Sequence, residues 1–210
     1  MKDRARQFGE SAGFRLLQSL QRDASDKVRF HLIGHSFGCI VASATLAGPE
    51  SRGALVRPVN SVALLQGALS LWSYCPDIPV ADHRAGYFHS LVANGKVAGP
   101  IITTQSQLDT AVGKLYPLAA GVARQVSFAP GELPKYGALG TFGARGEGLD
   151  VVDMTMLPLE APYSFASGKV YNLESSRFIC DVRGGGLSGA HNDIAKPEVA
   201  HAVWSVACAE

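Results

Sequence analysis

The stretch from Val28 to Ala47 constrains this chain most. A β-rich run, VRFHLI (28–33), leads into Gly34-His35-Ser36-Phe37-Gly38, and a run of small apolar residues, CIVASATLA (39–47), follows and stops at Gly48-Pro49. Branched and aromatic residues ahead of a glycine predict a short strand. Small apolar residues closed by Gly-Pro predict a helix over Ser36–Ala47. The turn between them is sharp, so Gly34 and Gly38 are expected to keep bulk away from Ser36 and let strand and helix approach closely.

The same alternation continues along the chain. Val59–Gln66, Pro100–Gln105 and Lys169–Leu173 read as further strands. Helical segments are expected at 7–22, where Phe14, Leu17 and Leu20 share a face and Gly9 and Gly13 weaken the start, and at 110–123, interrupted near Pro117. Pro197–Cys208 reads as a last helix, with proline in its first turn and Ala200, Val203, Trp204 and Val206 as its apolar surface. Strands alternating with helices predict an α/β fold, a mostly parallel sheet flanked by helices. Two segments break the pattern. Residues 68–98, with Trp72, Tyr74, Tyr87 and Phe88, are a candidate lid or insertion whose aromatics either line a pocket or pack on the sheet. Residues 124–168 are a long irregular excursion rich in glycine and proline.

Composition narrows the function classes. A length of 210 residues with 47% hydrophobic side chains suits one globular domain over 1–210 and excludes intrinsic disorder. With 19 basic and 18 acidic residues, the net charge of +1 does not suit a general nucleic-acid binder. No apolar stretch reaches membrane-spanning length, and charges spread from Lys2 to Arg22 do not suit a signal peptide. Cys39, Cys75, Cys180 and Cys208 form no metal pattern and read as free thiols, which points to the cytoplasm; two disulfides are the alternative. Asp82, His83 and His89 fit no zinc spacing, and the Gly-rich pieces 137–148 and 183–189 lack the Gly-Lys-Ser/Thr ending of a phosphate loop. No metal or cofactor is expected.

Gly34-His35-Ser36-Phe37-Gly38 is a G-x-S-x-G pattern. Alone it is weak in a chain with 23 glycines, but the strand before it and the helix after it are the context that gives it meaning. A serine hydroxyl is a poor nucleophile near neutral pH and needs an adjacent base. On such a turn the oxygen projects beyond the sheet, and the Phe37 N–H, at a helix N-terminus, is placed to stabilise a developing oxyanion. A base and an acid are expected in the order Ser, Asp/Glu, His. Asp109 follows the strand PIITTQ, and His191 lies in the Gly-rich loop before the last helix. Competing acids are Asp150, Asp153 and Asp193, the last better suited to capping the final helix. Asp109 itself has a second reading, as a cap for Thr110-Ala111-Val112. His35 is expected to pack or hydrogen-bond beside the turn, His31 to be a satisfied near-core residue, and His201 to face solvent.

VRFHLIGHSFGCIVAS, GPIITTQSQLDTAVGKLYP and SGAHNDIAKPEVAHAV resemble the α/β-hydrolase fold family, in particular poorly characterised bacterial serine-hydrolase-like proteins. The resemblance spans most of 10–208, least clearly over 121–168. It implies a Ser36, Asp109, His191 triad, with Phe37 in the oxyanion hole, acting on a small-molecule acyl substrate. In that family several strands precede the nucleophile strand, whereas residues 1–27 have room for one helix. The sequence is therefore expected to match a partial fold, from the nucleophile strand onward, N-terminally truncated and without the loop that usually gives the second oxyanion donor. Strand 28–33 would then lie at an exposed sheet edge and invite self-association. The alternative is a non-catalytic or incomplete hydrolase-like binding module.

Overall fold

The computed structural model describes residues 1–79, 81, 84–115 and 133–209. The chain enters through helix α1 (Lys2–Phe8), passes a π-helical segment (Gly9–Gly13) and continues as α2 (Phe14–Asp23). The helical run thus starts five residues earlier than its periodicity predicts. Gly9 and Gly13 have a use there. A methyl group at Gly9 would lie 2.6 Å from the Ala44 Cβ of the neighbouring helix, and one at Gly13 would collide with the Thr45 hydroxyl. The glycines that weaken the helix locally let two helices touch. Phe14, Leu17 and Gln21 are buried, while Leu20 faces outward.

Strand β1 (His31–His35) leads to helix α3 (Gly38–Ala47), then β2 (Ser61–Leu65), the short helix α4 (Ser90–Ala93) and β3 (Ile101–Gln105). A π-helical turn (Ala111–Leu115) and α5 (Leu139–Phe142) precede β4 (Val151–Thr155), β5 (Val170–Glu174) and the last helix, α6 (Pro197–Cys208). The strands form one all-parallel sheet in the order β1-β2-β3-β5-β4. The fold is α/β, as the alternation predicts.

β2 alternates its side chains between two layers. Val62 and Leu64 join Leu17, Ile40, Leu46 and Ile101 on the α3 side, whereas Ala63 and Leu65 join Ile102, Tyr171, Val199, Ala202 and Val206 on the α6 side. Both faces of the central strands are covered, as a parallel sheet requires. β1 lies at one edge with Ile33 58% exposed, and β4 lies at the other.

Several expectations shift. The first strand begins at His31 rather than Val28 and runs on through Gly34 and His35, which pair with Leu64 and Leu65. The Arg57 guanidinium donates to the Ser25 and Val28 carbonyls and so holds the preceding residues in a turn. β4 lies inside the segment expected to be irregular. Its side chains are only partly buried or exposed, so it lacks the continuous apolar run that marks a central strand. The described part of 68–98 packs into the core, with Leu69, Leu71, Trp72, Tyr74, Phe88 and Leu91 buried; Tyr87 stays half exposed. On α6 the buried face is Val199, Ala202 and Val206, and Trp204 is 71% exposed because it falls on the opposite side of the helix. His201 does not only meet water: its Nε2–H donates to the Ala161 carbonyl at 3.0 Å. Asp193 does not cap α6. Its carboxylate accepts the Cys180 and Asp181 N–H groups and pairs with Lys196. The second half of the helix expected at 110–123, including Pro117, lies outside the described residues, as do Asp82 and His83.

All four cysteines are free, Cys39 and Cys75 buried and Cys180 and Cys208 exposed. Among the described residues no helix is long and apolar enough to cross a membrane, and no group of three or more His, Cys, Asp or Glu side chains is placed to hold a metal ion.

Candidate active site

Ser36, Asp109 and His191 meet beyond the carboxyl ends of the parallel strands, the edge where sites of open α/β sheets collect. Ser36 follows β1 directly, and Asp109 follows β3 by a short loop. His191 sits in the loop between β5 and α6. The loops are unrelated in sequence, and the parallel sheet brings them to one side.

Ser36 has a φ of 57°, a left-handed conformation uncommon for a residue with a side chain. Three backbone bonds hold it there. The Ser36 N–H donates to Leu65, and the Ser36 carbonyl accepts the N–H groups of Ala68 and Cys39. Gly34 makes the turn sterically possible, since a methyl group there would lie 2.6 Å from the Gly38 carbonyl oxygen. Gly38 does not share that need, because a methyl group on it would meet nothing within 4 Å. The expectation that both glycines are forced therefore holds only for Gly34. Phe37 is the N-cap of α3, and its ring packs on Ala68, Val112 and Ala138. Its N–H stands at the positive end of that ten-residue helix.

His191 Nε2 lies 2.8 Å from Ser36 Oγ, and His191 Nδ1 lies 2.7 Å from Asp109 Oδ2. An ionised carboxylate only accepts, so Nδ1 carries the proton and Nε2 is left to accept from the serine hydroxyl. Asp109 is 1% exposed and His191 8% exposed. The other carboxylate oxygen of Asp109 accepts the Val112 N–H at 3.1 Å. The two readings of this aspartate, cap and histidine partner, are both realised, one on each oxygen.

The histidine loop is fastened to the aspartate segment. Ala190 N–H donates to the Leu108 carbonyl, the Thr110 hydroxyl donates to the Leu187 carbonyl, and Asp109 forms a β-bridge with Gly189. Gly189 has a φ of 60°, and a side chain there would collide with the Leu108 carbonyl. Residue patterns miss this fastening; the only signal is a glycine two positions before the histidine. The competing acids are occupied elsewhere: Asp153 by Arg145 and Asn172, Asp150 by Lys169, Asp193 by its own loop.

His35 bonds beside the turn as expected, with Nε2 2.9 Å from the His191 carbonyl oxygen. Burial pushes its pKa below the ordinary value, against the opposing pull of that carbonyl. His31 bonds the Ser61 hydroxyl, and His89 the Tyr74 carbonyl. Buried Cys39 lies behind the turn, its thiol donating to the Gly34 carbonyl, and burial pushes its pKa far up, which keeps it a neutral packing group.

No family model, curated protein or solved structure matches this chain.

Proposed function

We propose that this protein is a serine hydrolase of α/β-hydrolase type that cleaves an ester or related acyl bond of a small-molecule substrate in the cytoplasm. The observation that carries the reading is the unbroken hydrogen-bonded line from Ser36 Oγ through His191 to Asp109, set on a left-handed turn at the head of α3. Each part suits one step. Ser36 Oγ attacks the acyl carbonyl while His191 Nε2 takes the hydroxyl proton. Asp109 keeps the Nδ1–H tautomer in place and stabilises the imidazolium. The Phe37 N–H stabilises the oxyanion, and His191 returns the proton to the leaving group as the carbonyl re-forms. A water, activated by the same histidine, then releases the acid and restores Ser36. Serine, histidine and water handle every proton and electron pair, so the reading calls for no cofactor.

One observation favours the second reading, a hydrolase-like binding module. β1 is an edge strand, and among the described residues no strand pairs with its outer side to bring a second oxyanion donor. Removing one such donor costs about 10²–10³ in rate, which slows turnover without removing the nucleophile.

The test is fluorophosphonate labelling of the purified, folded protein, read by intact mass, beside hydrolysis of p-nitrophenyl acetate. We expect one adduct per chain, absent in Ser36→Ala. A folded wild type that takes no label would overturn the hydrolase reading and leave the binding module.

A further inference from the structure

His35 stands beside Ser36 in sequence yet outside the line that joins Ser36, His191 and Asp109. Its Nε2 lies 2.9 Å from the main-chain carbonyl oxygen of His191, and the two rings lie 4.9 Å apart at 37°. A carbonyl oxygen only accepts, so the His35 Nε2 carries the proton and donates. This bond joins the nucleophile strand to the histidine loop, segments that are 156 residues apart. The other ties of that loop described above run to Leu108, Asp109 and Thr110, and so set His191 against its acid. They do not set how far His191 reaches toward Ser36. The bond from His35 does, because it holds the main chain of the histidine itself to the residue that precedes the nucleophile.

We propose that His35 is a positioning residue for the hydrolytic reaction, fixing the reach of His191 Nε2 to Ser36 Oγ through its hydrogen bond to the His191 carbonyl. The inference rests on the hydrolase reading and deepens it. The Ser36–His191 contact of 2.8 Å is within hydrogen-bond range, and a displacement of 1 Å would take it out of range. Misplacement on that scale costs on the order of 10²-fold in rate. Burial also favours the neutral form of His35, which keeps a second cation away from the imidazolium that forms on His191.

Two substitutions separate the bond from the bulk. His35→Phe keeps a ring of similar size but has no donor, and His35→Gln keeps a neutral N–H donor without the ring. The rate of fluorophosphonate labelling, the kcat and KM for p-nitrophenyl acetate and the melting temperature are measured on the full chain. We expect H35F to be labelled about 10- to 100-fold more slowly, with kcat falling and KM little changed, and H35Q to recover most of the lost rate. H35F labelled at the wild-type rate would overturn the proposal, as would a loss in H35Q as large as in H35F. If H35F does not fold, His35→Met fills the volume without a donor and is read the same way. A wild type that is folded and never labelled fails earlier and differently, since it overturns the hydrolase reading before any His35 variant is compared.

Discussion

At Gly34 a methyl group would press on the Gly38 carbonyl and the Cys39 amide of the following helix, 2.6 and 2.7 Å away, whereas at Gly38 it would meet nothing within 4 Å. One glycine of the pair is demanded by the close crossing of strand and helix, and the other is not. Gly34→Ala is expected to destabilise by about 1–3 kcal/mol, the range for forcing extra atoms into a packed site. Gly38→Ala lies in the first turn of α3 and is expected to be neutral or up to about 1 kcal/mol more stable, because alanine is the better helix former. Urea midpoints of the two variants check this, and equal losses in both would contradict the crossing argument. Asp109 carries a second lesson at this scale. A capping aspartate and a histidine-orienting aspartate look identical in sequence, and here one carboxylate does both through different oxygens.

Among elements, α3 is anchored at both ends. Its head carries the Ser36 turn. Its tail ends at Gly48, whose φ of 71° turns the chain out of the helix. Buried Lys96, on the loop after α4, donates to the Ala47 and Gly53 carbonyls, each at 2.7 Å. An ammonium at a helix C-terminus satisfies orphan carbonyls and interacts well with the helix dipole. Burial lowers the Lys96 pKa, the sign of a charge held at some desolvation cost. Lys96→Met leaves two carbonyls without that donor and should lower stability by about 1–3 kcal/mol, read as a lower melting temperature. An unchanged value would mean that water replaces the ammonium at no cost. The glycines where the π-helical segment crosses α3 act at the same scale. Propensity counts Gly9 and Gly13 as helix weakeners, while the packing uses them as the places where two helices meet.

For the whole molecule, acid should loosen the fold in two windows. His31 and His35 both titrate below their ordinary 6.5, chiefly because burial penalises the charged form; nearby Arg29 adds to this for His31. The unfolded chain therefore takes up these protons first. Their contribution is complete above pH 6.5 and is lost as the pH falls from there through the lower folded values. Asp153 acts further down. Burial raises its pKa, but the bonds from Arg145 and Asn172 outweigh that and hold it below 3.8, so its contribution is lost only as the pH falls through that lower value. Urea midpoints measured from pH 7.5 to 5.5 should decline, and the decline should flatten in a His31→Gln, His35→Gln double variant. An unaltered slope would assign the acid sensitivity to other groups.

The sequence alone determined the α/β class, the central strands β2, β3 and β5 and the helix α6, and it singled out Ser36, Asp109 and His191 as candidates while leaving other acids open. These rest on local signals: runs of branched apolar residues that must be buried on both faces, and residue types whose chemistry needs one another. Tertiary structure alone decided the rest. It placed β4 at the far edge, where partial exposure blurs the apolar run and hid the strand inside a stretch expected to be irregular. It turned Trp204 outward, and it buried Trp72, Tyr74 and Phe88 while leaving Tyr87 half exposed. It set Gly34 apart from Gly38 and tied His35 to the His191 carbonyl across 156 residues. Such features depend on which backbones approach within a few ångströms, and no pattern along the chain encodes distances between segments that meet only after folding.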